Sequence, residues 1–103
     1  MPSREPRLVF TPAALADLEE TFWFVAADNP RRARSYVAEI EQACRNLCET
    51  PLMGRGRPDL RPNLFIFPLW RRVLIAYELP DNRVDILRVF SGGQDYEAIM
   101  SGE

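Results

Sequence analysis

Residues 73–90 read VLIAYELPDNRVDILRVF, two runs of valine, isoleucine, leucine and aromatic residues on either side of Pro80-Asp81-Asn82. Runs of this composition, Val73 to Leu79 and Val84 to Phe90, separated by a turn signal, are expected to form neighbouring antiparallel strands. A third run, Leu64 to Phe67, lies just upstream and extends the pair to a three-stranded meander. Pro68 removes a ladder donor, so this first strand is expected to end or bulge there.

A sheet of this kind has an apolar face that must be covered, and the N-terminal half of the chain supplies the cover. Thr11-Pro12 makes a good N-cap and first helical residue. Leu15, Leu18, Phe22 and Val25 follow at steps of three and four, with Asp17, Glu19 and Glu20 assigned to the opposite, solvent side. Asp28-Asn29-Pro30 stops that helix and caps a second one. There Ala33, Tyr36 or Val37, Ile40, Ala43 or Cys44, and Leu47 keep the same period until Thr50-Pro51. Arg7 to Phe10 reads as an opening strand. Residues 52–63 contain two glycines and two prolines and read as a loop. Ser91-Gly92-Gly93 breaks the last strand, and Asp95 to Met100 reads as a short final helix. The expected class is α+β: an N-terminal strand, an αα-hairpin, an antiparallel meander packed against the helices, and a short C-terminal helix, in the order β-α-α-β-β-β.

With 103 residues, 47% of them apolar and 27% charged, the chain has room for one core and one domain, residues 1–103. No apolar run reaches 18 residues, and Met1 to Pro6 lack the apolar segment of a secretory leader, so the expected compartment is the cytoplasm. Cys44 and Cys48, four apart on a helix, read as core thiols. A metal site built on them would need two more soft ligands, and no cofactor is expected.

The charge is unevenly placed. All 13 basic residues are arginines, and five of them, Arg55, Arg57, Arg61, Arg71 and Arg72, fall within residues 52–72 against Asp59 alone. Residues 13–50 carry seven acids against four arginines. One basic and one acidic face suit protein contacts as well as phosphate. The arginine cluster reads as solvated loop charge, as phosphate contacts, or as partners for carboxylates of another chain. If exposed, these arginines contribute little to folding. Trp23 and Trp70 read as partner anchors or as core, with Trp70, beside Arg71-Arg72, the better candidate for exposure. The absence of histidine and lysine removes the commonest general base and the Schiff-base nucleophile. The pairs Glu19/Glu20 and Glu39/Glu41 read as solvated helix faces.

Ala13-Ala14-Leu15-Ala16-Asp17-Leu18, Thr50-Pro51-Leu52-Met53-Gly54-Arg55, Leu60-Arg61, Arg72-Val73-Leu74-Ile75-Ala76-Tyr77 and Val84-Asp85-Ile86-Leu87-Arg88-Val89, in this order and spacing, resemble the ParE branch of the RelE/ParE toxin superfamily. The match runs from about residue 7 to residue 96. The resemblance implies the toxin of a type II toxin–antitoxin module, neutralised by a small antitoxin that lies across the helical hairpin and the sheet. ParE-like proteins are understood to poison DNA gyrase by binding, whereas RelE-like relatives cut mRNA on the ribosome. Arg61, Arg72, Tyr77 and Arg88 match family positions. With Arg55, Arg57, Trp70 and Arg71 they form the expected antitoxin- or target-binding set, and no catalytic residue is assigned. The family pattern places a histidine, a glycine and then an arginine before the aspartate that here is Asp95. This chain has Ser91, Gly92, Gly93 and Gln94 instead, which weakens a ribonuclease reading and any ParE role tied to those positions. The expected function is a gyrase-binding toxin; the alternatives are ribosome-dependent mRNA cleavage and a non-toxic protein that binds only its antitoxin.

Overall fold

A computed structural model describes residues 5–102. Met1 to Arg4, most of the stretch read above as lacking a leader segment, and Glu103 lie outside the described residues. The chain runs β1 (Arg7–Phe10), α1 (Pro12–Ala26), α2 (Pro30–Leu47), a 3-10 turn (Pro51–Met53), β2 (Arg55–Gly56), β3 (Phe65–Leu69), β4 (Val73–Glu78), β5 (Arg83–Ser91) and α3 (Tyr96–Ser101). The five strands form one sheet in the order β1-β5-β4-β3-β2. The meander β3-β4-β5 is antiparallel as expected, while β1 joins it parallel to β5, with Leu8 opposite Val84 and Phe10 opposite Ile86.

Both helix starts follow their caps. Thr11 Oγ1 accepts from the Ala14 amide, and Asn29 Oδ1 accepts from the Arg32 amide. Each cap is followed by a proline whose missing N–H would have had no helical partner. α2 buries Ala33, Ile40, Ala43, Cys44 and Leu47, a clean stripe of the expected period. In α1 the inward residues are Ala14, Leu18 and Thr21, and Leu15, expected inside, is exposed. The cause is that α1 carries large apolar residues on both sides, Leu15, Trp23 and Phe24 facing out beside Glu19 and Glu20, so the three-and-four spacing fits more than one face.

Alternation along β4 splits the interior in two. Val73, Ile75 and Tyr77 face α1 and α2, whereas Ala76 and the half-buried Leu74 join Leu64, Ile66, Phe90 and Met100 under α3. On β5 the alternation changes phase. Ala76 pairs with Arg88 but Tyr77 with Ile86, leaving Leu87 as an extra residue. This bulge lets Val84, Ile86 and Val89 all reach the helix side, which a regular strand would forbid. The irregularity expected at Pro68 is therefore found on β5. β3 runs straight through Pro68 to Leu69, and the strand tolerates it because β2 pairs only with Phe65 and Ile66 and is absent alongside residue 68.

β1 ends at Phe10, so the outer edge of β5 beyond Ile86 has no strand beside it, and α1 takes over. Thr11 donates its amide to Ile86 O and its hydroxyl to Leu87 O; Asp17 accepts from the Val89 amide at 2.8 Å; Thr21 shares a hydrogen bond with Ser91. Asp17, assigned above to the solvent side, is turned inward to satisfy this edge. Cys44 and Cys48 are buried free thiols, and burial pushes Cys44 up to about 12. Among the described residues no helix is long and apolar enough to cross a membrane.

Candidate functional site

The residues singled out from sequence separate into an interior set and a surface set. Tyr77 belongs to the interior. It is fully buried, stacks on Phe65 with ring centroids 5.4 Å apart, donates its hydroxyl to Pro51 O at 2.7 Å and accepts from the Gly54 amide at 2.9 Å. Burial raises its phenol above the ordinary value. It ties the 3-10 turn to the sheet and offers no surface to a partner, which corrects its place in the binding set. Gly54 is what allows the ring so close, since a Cβ there would fall 2.5 Å from the Tyr77 hydroxyl.

Arg88 is held by a two-pronged ion pair with Asp17, at 2.7 and 3.0 Å, and its guanidinium lies 5.1 Å from the centroid of the Phe90 ring. Both side chains are largely shielded. This pair joins α1 to β5.

The loop arginines are not equivalent. Arg57 bonds both oxygens of Asp59 and also reaches Glu97 and the Tyr96 hydroxyl, clasping the loop to α3. Its hydrogen bonds, to Asp59 first and then Glu97, raise the guanidinium further, and the same contact lowers Asp59 below its ordinary value. The sign for Asp59 is that of a depressed carboxylate: its share of the clasp is complete above the unfolded-state value and is lost as pH falls through the lowered folded one. The expectation of an exposed, structurally idle arginine therefore fails at Arg57, because besides the nearby Asp59 it has partners, Tyr96 and Glu97, about 40 residues away that spacing alone does not bring near. Arg61 stands 3.9 Å from Glu78, a loose contact, and Arg55 on β2 is exposed with no ion pair among the described residues. Arg57→Ala is accordingly expected to lower the melting temperature measurably, while Arg55→Ala leaves it within about a degree. Thermal melts of the two single variants check this, and equal melts would defeat the clasp.

The surface set gathers at the β3–β4 turn. Trp70 has a φ of 57°, a left-handed conformation that bulky residues avoid, and remains 46% exposed. Its ring meets Tyr36 of α2 at 5.1 Å, and the Arg32 guanidinium lies 5.2 Å from the Tyr36 centroid. Arg32 is anchored in turn by Glu39 at 2.6 Å. Arg71 and Arg72 follow, both exposed and without an ion pair among the described residues. Arg72 of the turn, Tyr36 of α2, Glu20, Thr21 and Phe24 of α1, and Ser91, Gly92 and Gln94 at and beyond the end of β5 all line a groove of about 490 Å³. The positions where the family pattern has basic residues thus border the groove, but with a hydroxyl and an amide. Gln94 uses its Oε1 to accept from the Ser91 amide, closing the turn. Among the described residues no group of His, Cys, Asp and Glu is arranged to hold a metal ion.

Sequence reasoning missed Phe24, Glu20 and Tyr36 as groove residues, because their placement depends on how α1 and α2 meet the end of β5. It also placed Leu15 inside, left Trp23 open between partner anchor and core, and passed over Phe24, although all three are exposed. The signal for that surface was present in the large apolar residues that α1 carries on both sides.

The family described as ParE toxin of type II toxin-antitoxin system, parDE, matches residues 8–96. The chain is 32% identical over 95 residues to Toxin ParE3 of Caulobacter vibrioides (strain ATCC 19089 / CIP 103742 / CB 15), covering 89% of this chain and 92% of that one. It also resembles a solved structure described as the chromosomal ParDE TA system from P. aeruginosa, with a TM-score of 0.75 at 24% identity, over 86% of this chain and 98% of the other. At that identity the structural likeness speaks for the fold.

Proposed function

The chain belongs to the ParE toxin family of type II toxin–antitoxin systems, and from that membership we propose that it acts in the cytoplasm as a toxin that binds DNA gyrase and is silenced by a cognate antitoxin. The observation that favours binding over RNA cleavage is where the fold commits its polar side chains. Cutting RNA through the ribose 2′-hydroxyl requires a group that takes its proton and donors aimed at the phosphorane. Tyr77 spends its hydroxyl on Pro51, and Arg88 spends its guanidinium on Asp17. The chain has no histidine or lysine to replace them, and an arginine that remains exposed stays protonated and is a poor base.

What stays open to solvent is suited to gripping another protein. An aromatic ring packed on a second one and followed by two arginines with no ion pair among the described residues is the composition in which binding hot spots are enriched, with the arginines suited to carboxylates of a partner. Trp70, Arg71 and Arg72, with Arg55 and Arg61 along the same basic segment, form the surface we assign to the antitoxin or the target.

Induced expression without antitoxin is the test, followed by gyrase supercoiling and cleavage-complex assays beside a ribosome-programmed mRNA cleavage assay. Growth arrest with inhibited or trapped gyrase and intact mRNA is expected. The double variant Trp70→Ala/Arg72→Ala is expected to weaken gyrase inhibition about tenfold or more while retaining its melting temperature. Cleaved mRNA without a gyrase effect would overturn the proposal, and absence of arrest would leave a protein that only binds its antitoxin.

A further inference from the structure

We propose that Tyr36 is a positioning residue for the β3–β4 turn: its ring holds Trp70 in a left-handed backbone conformation and so keeps Trp70, Arg71 and Arg72 in the shape that binds a partner. This rests on the assignment of the turn as a binding surface, and it adds how the fold keeps that surface ready and which residue outside the turn does so.

Leu69 pairs with Val73, so residues 70–72 form a three-residue connection between β3 and β4. In the usual hairpin loop of this length the left-handed residue comes last, after a type I turn, and is commonly glycine. Here the left-handed residue comes first, and it is a tryptophan. The other non-glycine residues with positive φ among the described residues are Asn63 and Asp81, types whose short polar side chains tolerate that region. The local sequence therefore does not select the conformation of Trp70. A bulky residue stays left-handed only where its surroundings hold it there.

What holds it lies on α2. The Trp70 and Tyr36 rings have centroids 5.1 Å apart and planes inclined by 44°, a separation at which aromatic pairs attract beyond the area they bury. Tyr36 is itself fixed. It packs against the main core, and the Arg32 guanidinium, tied to Glu39 and Ser35, lies 5.2 Å from its centroid. A ring on a core-packed helix is rigid compared with a short surface turn, so Tyr36 is the anchor and Trp70 the part that follows. Without the Tyr36 ring the strain at Trp70 is no longer offset, and the turn relaxes toward the right-handed and extended regions open to any residue. A partner that needs the native turn then meets it only part of the time, and its apparent affinity falls by that fraction.

Trp70 also serves as the reporter, since Trp23 is the one other tryptophan in the sequence. In a Trp23→Phe background, Tyr36→Ala is expected to raise acrylamide quenching of Trp70 about 1.5-fold or more and to remove most of its near-ultraviolet circular dichroism, while Tyr36→Phe, which keeps the ring, retains both signals. Gyrase inhibition and calorimetric titration with the cognate antitoxin are measured in parallel on chains that keep Trp23, beside Trp70→Ala/Arg72→Ala. Tyr36→Ala is expected to weaken by about tenfold whichever contact the double variant weakens, equivalent to a turn in its native shape about one tenth of the time, and Tyr36→Phe to stay within about twofold of the unaltered chain.

Should Tyr36→Ala lose its fold by far-ultraviolet circular dichroism, Tyr36→Leu keeps apolar cover for the core without an aromatic ring and takes its place. Unchanged quenching and near-ultraviolet signal in the ringless variant would overturn the positioning role. So would full binding by the ringless variant where Trp70→Ala/Arg72→Ala binds weakly, and the turn would then stand as a binding surface without Tyr36. Full binding by the double variant as well would overturn the assignment of the turn as a binding surface, and this proposal with it.

Discussion

Replacing Asp17 by alanine is expected to destabilise the domain by about 2–4 kcal/mol, an effect normally reserved for core residues. The carboxylate receives the Arg88 guanidinium on both oxygens and the Val89 amide on one of them, so its removal strands a shielded cation and an edge N–H together. An asparagine in its place would keep an acceptor for Val89 but not the charge for Arg88, so Asp17→Asn should cost roughly half as much. Urea denaturation gives these differences, and a double-mutant cycle with Arg88→Ala should return a coupling of about 1 kcal/mol or more. An Asp17→Ala protein within about 0.5 kcal/mol of the original would mean that solvent screens the pair and water serves the strand edge equally well.

Tyr77→Ala is the larger loss, about 3–5 kcal/mol, because a fully buried aromatic side chain disappears from the layer between α1, α2 and the sheet. Tyr77→Phe separates the hydroxyl from the ring. It leaves the Gly54 amide and the Pro51 carbonyl without their partner and should cost about 1–3 kcal/mol. Gly54→Ala pushes a methyl group to 2.5 Å from the hydroxyl and 3.0 Å from Ile66 O, which forces the ring or the turn to move. Combining Gly54→Ala with Tyr77→Phe should cost less than the sum of the two, since loss of the hydroxyl clears part of the space. Strict additivity in chemical denaturation would show that the turn, and not the ring, gives way.

The parts of this fold legible in sequence are those governed by neighbours in the chain. Thr11-Pro12 and Asn29-Pro30 start helices through contacts three residues away, and the apolar runs of β4 and β5 report two-residue alternation. The parts that escaped depend on residues brought together late. The parallel pairing of β1 with β5 joins Arg7 to Arg83, and no local pattern encodes it. Asp17 sits at the border of the inward face of α1, where its spacing is compatible with either side. Its direction is set by the unpaired stretch of β5, which exists only because β1 stops at Phe10. In the binding set, composition marked Trp70, Arg71 and Arg72 as surface. It could not tell Arg57, consumed by Asp59 and Glu97, from Arg55, which is not. Tyr77 reads from sequence as a useful hydroxyl; only the approach of Gly54 shows that the hydroxyl is already in use.

The parallel seam between β1 and β5 also orders events during synthesis. Arg7–Phe10 is made well before its partner, Arg83–Ile86, so the first strand waits unpaired until the helices and the other strands have been translated. The α1 residues that seal β5, Thr11, Asp17 and Thr21, wait with it. Closure of the sheet is therefore slowed by the long stretch of chain between the two strands. A chain halted before residue 83 lacks β5, and with it the partner of β1, the strand edge that Thr11, Asp17 and Thr21 satisfy, and part of the core into which both helices pack.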